Sequence, residues 1–346
     1  MTTYRKRGLT DELDEGSFAD FYLAMAQEFL ERVDGARDGR YEARLPLQAA
    51  ARFRTARRCS FTWITDRTTL AALALLHEGR EVVGAPALRL LVLAQLVFTD
   101  AAVLEALGPA AVSGELADAA ARLRDFFDEE AKESRRPPRR SPISKSLQTG
   151  ALGCLGRGKG SIIDTVARYV ETTLDEEACL RAYAELRAGV ASAEDSLRLS
   201  LGLPRFRAHC VARLLWLHSA GALGASPDSA RLGPGAVDAL LRLTGESSEA
   251  GFAAALPRWR AAVLARDETD VVPRLEALNL FPLAAQTFEH LLCEAGKVFG
   301  LSPRPKRGPE RPGYAELWTR ARRFLEHSRR ALLARKLQKR RPKALR

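Results

Sequence analysis

One short turn between two helix-forming segments carries the residue types that bind a phosphate through the backbone. Residues 202–208 read GLPRFRA. In such a hairpin the turn directs backbone N–H groups at a nucleic-acid phosphate, and a small residue such as Ala208 lets the second helix pack closely. Pro204 stands where this pattern has a second glycine, and it removes one N–H donor. The segment fits either a phosphate-binding hairpin or an ordinary corner between core helices. The residues expected to contact phosphate are Gly202, Leu203, Arg205 and Arg207.

The segments that must position this turn have the apolar spacing of helices. Apolar residues recur every three or four positions in stretches such as FADFYLAMAQEFLERV (18–33) and TTLAALALLHE (68–78). Alternating β-branched runs, which are typical of strands, are nearly missing. The chain has 346 residues, of which 46% are hydrophobic, enough to build a substantial core. We therefore expect an all-α protein.

A Pro- and Arg-rich break interrupts the helical pattern near the middle of the chain. Residues 134–142 read SRRPPRRSP, and their successive prolines are incompatible with a helix. We expect an N-terminal helical region over 1–133, a linker over 134–145, and a hairpin-containing helical region over 146–300. The first and third regions belong to the same fold, and residues 301–346 form a basic C-terminal helix and tail.

Positive charge is concentrated in that C-terminal segment. Residues 301–346 hold 16 Lys and Arg against three Asp and Glu, whereas residues 1–300 hold 38 against 40. Such a segment binds polyphosphates or directs nuclear import, and the alternative is a solvated, partly disordered tail. We expect an intracellular protein, nuclear if the source is eukaryotic and otherwise cytoplasmic.

The sequence does not predict a cofactor, a metal or a membrane partner. The five cysteines are scattered, and their spacing fits neither a zinc site nor a disulfide framework. Residues 153–161 approach a nucleotide-binding phosphate loop, but Gly160 stands where Ser or Thr must hold magnesium, and no strand precedes the loop. No apolar run is long enough to span a bilayer, and no signal-peptide core follows the charged N-terminal residues.

Several segments in chain order resemble one protein family. They are RFRTARRCSFTWITDRTTL (52–70), TGALGCLGRGKGSIID (149–164), the hairpin at 202–208, LGPGAVDALLRL (232–243) and FEHLLCEAGKVFG (288–300). In these segments the chain is similar to the helical alpha-glutamyl/putrescinyl thymine pyrophosphorylases. It is also similar to the related helical domain of 5-hydroxymethyluracil DNA kinases.

This resemblance implies a fold and a reaction. The family looks like a distant relative of helix-hairpin-helix DNA glycosylases, so the resemblance implies a helix-hairpin-helix, glycosylase-like fold that binds duplex DNA. Because a stacked base cannot enter a deep pocket, the implied enzyme flips a modified pyrimidine out of the duplex. A small amine would then replace the pyrophosphate of 5-pyrophosphomethyluracil. Phe206 stands where bifunctional glycosylases carry a lysine nucleophile, so Schiff-base strand cleavage is not expected.

The implied reaction needs carboxylates near the reacting carbon and cations around phosphates. The residues expected to act in catalysis are Asp66, Asp228, Glu294 and Lys297. The residues expected to bind DNA, besides those of the hairpin, are Arg52, Arg57, Gly233 and Gly235. Asp228 lies 26 residues after Gly202, close to where the glycosylase relatives carry their catalytic Asp. For Arg52, Arg57 and Asp66 the alternative is an ion-pair network between helices.

Two other functions are compatible with the same residues. One is a DNA-binding or chromatin module that keeps the fold without the chemistry. The departures from the family pattern that favour it are Pro204, Val237, Asp238 and Gly296. The other is a monofunctional DNA glycosylase, in which Asp228 and a water molecule release a base.

Overall fold

Helices account for all of the regular secondary structure that the computed structural model describes, which confirms the predicted all-α class. The described residues are 13–34, 40–55, 61–78, 84–96, 176–189, 191–301 and 314–340, with part of 121–132. Three features of the sequence lie outside them, namely Arg57, the linker at 134–145 and the glycine-rich segment at 153–161.

The helices begin and end where the apolar spacing of the sequence does. Helix α1, for example, contains the whole stretch FADFYLAMAQEFLERV. Single 3-10 turns lie at Glu42–Arg44 and Trp63–Thr65. The α-helices are α1 (Glu15–Asp34), α2 (Leu47–Thr55), α3 (Arg67–Glu78), α4 (Ala85–Leu96), α5 (Glu176–Ala188), α6 (Ala193–Leu201), α7 (Arg205–His218), α8 (Pro234–Thr244), α9 (Glu249–Arg266), α10 (Val271–Ala277), α11 (Ala285–Val298) and α12 (Tyr314–Arg340).

The described chain divides into two units, and each unit takes helices from distant parts of the sequence. Unit 1 draws on residues 1–63 and 230–310, and therefore contains α1, α2 and α8 to α11. Unit 2 draws on residues 64–229 and 311–346, and contains α3 to α7 and α12. Among the described residues, no helix combines the length and apolarity that crossing a bilayer requires.

Aromatic side chains form the centre of unit 1, where α1 packs against α9, α10 and α11. The Phe18 and Trp259 rings meet edge to face at 5.3 Å, and the Tyr22 and Phe288 rings lie 5.2 Å apart. The Tyr22 hydroxyl donates a hydrogen bond of 2.6 Å to the Pro282 carbonyl. Burial raises the pKa of Tyr22 well above its ordinary value, so this hydroxyl stays a donor. The aromatic core thereby holds the start of α11.

Helix α7 of unit 2 is buried along most of its length. Every residue from Ala208 to Leu215 is buried, as is Leu217. The helix packs against α4, α6 and α12, while α12 also packs along α3. A helix that is apolar around most of its circumference must be enclosed by others. The N-terminal end of α7, which carries the hairpin turn, is therefore held by a rigid support.

Candidate nucleic-acid interface

The predicted hairpin is a tight turn between α6 and α7. Gly202 ends α6 in the left-handed conformation, with φ of +63°, and Pro204 precedes α7 with φ of −58°. A residue with a side chain is strained at such a positive φ, whereas glycine is not. No described atom lies within 4 Å of the point that a Cβ on Gly202 would occupy. Gly202 therefore has open space on the side where a Cβ would lie.

The turn places apolar residues inside and arginines outside. Leu203 is 3% exposed and Ala208 is fully buried, so Leu203 fastens the turn to the core and Ala208 lets α7 approach α6 closely. Gly202 and Arg205 are exposed, and Arg207 is partly exposed. We call Gly202, Arg205 and Arg207 the hairpin surface. It combines two guanidinium groups with the positive end of the α7 dipole, an arrangement suited to an anion.

A buried polar pair joins the two hairpin helices beneath this surface. Nδ1 of His209 lies 2.8 Å from Oε1 of Glu194, and the two side chains are 1% and 9% exposed. At this distance the imidazole N–H donates to the carboxylate, so two buried polar groups are hydrogen-bonded to each other. Sequence reasoning missed this pair. The sequence did contain a signal for it. Glu194 lies on the same face of α6 as the apolar Leu197 and Leu201, three and seven residues later.

The loop after α7 folds back along the helix toward the hairpin. The Ala225 N–H donates to the Ala212 carbonyl at 3.0 Å, although α7 ends six residues beyond Ala212. The loop thus runs back along α7 by about 9 Å from the C-terminal end of the helix, since each residue rises 1.5 Å. Gly224 permits this contact, since its φ is +91° and a Cβ there would collide with the Ala212 carbonyl oxygen.

Asp228 follows three residues after this contact and belongs to the same unit as the hairpin. It is exposed, and its backbone N–H donates to Oγ of Ser226 at 3.3 Å.

Asp66 also belongs to unit 2 and has a visible structural role. Its carboxylate accepts from the Thr69 N–H at 3.4 Å and its carbonyl from the Leu70 N–H at 2.9 Å, so it caps α3.

Two segments of unit 1 that are far apart in sequence meet where α8 packs on α11. The buried carboxylate of Glu289 accepts a hydrogen bond of 3.0 Å from the Gly233 N–H, at the start of α8. Gly235 packs against Cys293, whose Sγ would lie 3.2 Å from a Cβ at that position. Gly233 and Gly235, which were expected to bind DNA, therefore allow α8 to pack closely on α11. A phosphate approaching the Gly233 N–H would have to displace Glu289.

The other predicted residues of unit 1 lie at the C-terminal end of α11. Glu294 is buried and forms an ion pair with Lys297, which is one third exposed. Arg52 lies against Gly300 and donates to the Val298 carbonyl at 3.4 Å. A cation at a helix C-terminus stabilises the last carbonyl groups, so Arg52 helps to end α11.

The described residues contain no cluster of side chains that could hold a metal ion. In the described part of the chain, no three His, Cys, Asp or Glu side chains are grouped as metal ligands, and Cys179, Cys210 and Cys293 are not joined in disulfides. Comparison with protein-family models, with curated proteins and with solved structures found no match for the chain.

Removing one member of the buried pair should destabilise the hairpin. We expect His209→Leu to lower the free energy of unfolding by about 3–5 kcal/mol, because it removes a hydrogen bond from the buried Glu194 carboxylate. The double variant His209→Leu/Glu194→Leu should recover most of that loss, since no buried charge remains. Urea unfolding of both variants checks this, and a double variant no more stable than the single one would contradict it.

Pushing the returning loop away from Ala212 should also destabilise the protein. We expect Gly224→Ala to lower the free energy of unfolding by at least about 2 kcal/mol, because it adds a clash to a strained positive φ. Gly202→Ala is the matched control, since its φ is also positive but the site is open, and it should cost only about 1 kcal/mol. Equal losses in urea unfolding would show that the contact with Ala212 does not hold the loop.

Proposed function

We propose that the protein binds duplex DNA through the hairpin surface. The observation that carries this proposal is the exposed, left-handed Gly202 set directly before the buried Leu203. We expect this arrangement to leave backbone N–H groups of the turn accessible, while the buried Leu203 holds the turn in place. Binding a phosphate would then cost little ordering of the protein. Arg205 and Arg207 add charge-assisted hydrogen bonds to the same anion.

Pro204 limits this contact without abolishing it. The proline has no N–H, so the turn offers one donor fewer than a hairpin with two glycines. Its φ of −58° nevertheless matches the start of a helix, and α7 begins at the next residue. We therefore expect the hairpin surface to position DNA with modest affinity that depends strongly on salt.

We further propose that the bound DNA is the substrate of a reaction on an extruded, modified pyrimidine. The observation that favours an enzyme is the loop that returns along α7 and presents the exposed Asp228 in the hairpin unit. In the proposed reaction the amine nitrogen bonds to the thymine 5-methylene carbon, and the carbon–oxygen bond to pyrophosphate breaks. Asp228 accepts the proton that the amine loses, and cationic side chains neutralise the departing pyrophosphate.

A DNA-binding module without this chemistry is the second candidate. It is favoured by the structural contacts of the other predicted catalytic residues, since Asp66 caps α3 and Glu294 pairs with Lys297. Arg52 is likewise engaged at the end of α11. In this candidate the fold binds DNA and presents it to other proteins.

Neutralising the hairpin arginines should weaken DNA binding in a salt-dependent way. We expect Arg205→Gln/Arg207→Gln to reduce the slope of log K against log salt by about 2, since each phosphate contact contributes about 0.9. Arg181→Gln/Arg187→Gln removes the same charge from exposed positions on α5 and should leave the slope almost unchanged. Fluorescence anisotropy over a salt series measures both, and equal slopes for the two variants would refute hairpin binding.

The reaction is tested on DNA that contains 5-pyrophosphomethyluracil. With a panel of small amines, we expect aminated thymidine after digestion to nucleosides, and we expect Asp228→Asn to lose this product while it still binds DNA. Abasic sites in an oligonucleotide panel would instead identify a monofunctional glycosylase. If the nucleosides are unchanged with every amine and the glycosidic bonds stay intact, both reactions are refuted. The DNA-binding module is then the function that remains.

A further inference from the structure

The C-terminal half of α12 extends beyond the core of unit 2. The buried residues of this helix are Leu317, Trp318, Ala321, Phe324, Leu325 and Ser328. No described side chain after Ser328 is buried, yet the helix continues to Arg340. At 1.5 Å per residue, residues 329–340 span about 18 Å. We call these residues the α12 extension.

The base of the extension is fixed to the C-terminal end of α7. Oγ of Ser328 donates to the Leu217 carbonyl at 2.9 Å, and the ring of Phe324 stacks on His218 with 8° between the planes. One turn further along, Leu332 packs next to Gly221, in the turn that follows α7. The extension therefore leaves the core at the opposite end of α7 from the hairpin.

The charge of α12 changes where its packing ends. Residues 314–328 contain three arginines and two glutamates, and Arg322 and Glu326 form an ion pair of 2.9 Å. Residues 329–340 contain six Lys and Arg and no acidic residue. The packed half is thus close to neutral, whereas the extension carries a uniform positive charge. Such a charge attracts polyanions.

The distribution of these charges indicates the shape of the partner. At about 100° per residue, the basic positions of the extension lie within an arc of about 220°, and its three leucines lie within the same arc. A helix that lies on a membrane needs one apolar face and one basic face, which this one does not have. A helix in the major groove of B-DNA, about 12 Å wide, has phosphates on both flanks. The major groove of duplex RNA is too narrow for side chains to read.

We propose that the α12 extension binds in the major groove of duplex DNA, as a second contact beside the hairpin surface. Helix α7, with 14 residues, places the base of the extension about 21 Å from the hairpin surface. This distance corresponds to about six base pairs at 3.4 Å each. The inference rests on the proposed DNA binding by the hairpin. It adds which groove is occupied, which second helix binds there and how far apart the two elements lie.

The test uses the full chain and a DNA duplex two helical turns long. The variant Arg330→Gln/Arg335→Gln/Lys339→Gln should reduce the slope of log K against log salt by about 2 to 3. Arg122→Gln/Arg181→Gln/Arg187→Gln removes the same charge from unit 2 outside α12 and should change the slope by less than one contact. Circular dichroism and urea unfolding verify that both variants fold as the wild type does. Equal slopes for the two variants would overturn the inference.

Dimethyl sulfate protection tests the groove, because it reports guanine N7 in the major groove. The wild type should protect guanines that the extension variant leaves reactive. Unchanged protection would overturn the inference, as would equally tight binding of duplex RNA or of phosphatidylserine vesicles through the same residues. The hairpin variant Arg205→Gln/Arg207→Gln separates the two proposals. If it binds as the wild type while the extension variant fails, hairpin binding is wrong and the groove contact stands.

Discussion

The enclosure of α7 is the constraint on which the rest of unit 2 depends. Residues 208–215 are all buried, so the helix cannot shift or rotate without breaking contacts with α4, α6 and α12 at once. Its N-terminal end presents the hairpin turn, its middle receives the returning loop at Ala212, and its C-terminal end holds the base of the α12 extension. One rigid helix thereby sets the positions of three candidate contacts with a nucleic acid.

Two buried carboxylates of the described residues accept hydrogen bonds between segments, whereas Asp228 lies exposed in the loop after α7. Glu194 and Glu289 are buried and each accepts a hydrogen bond, from His209 and from the Gly233 N–H. A buried carboxylate without such a bond would cost several kcal/mol, and these two therefore support packing between helices. Asp228 is exposed, and an exposed carboxylate is accessible to a substrate.

The sequence allowed the helices, their approximate bounds and the hairpin to be predicted, because apolar spacing and glycine positions act locally. Gly202 and Gly245 end their helices in the left-handed conformation that a glycine after an apolar stretch indicates. The buried pair of Glu194 and His209 was not predicted. An acidic residue near a helix N-terminus has a local explanation as a dipole partner, and only its neighbour in space reveals the second role.

Composition and local pattern were sufficient to predict the all-α class, the turn at 202–204 and the concentration of positive charge in the last residues. They could not show that each unit is assembled from distant segments, or that Gly233 and Gly235 meet Glu289 and Cys293. Helix propensity and capping depend on neighbours within about four residues. The pairing of helix faces depends on shape and burial across the whole chain, which no local pattern encodes.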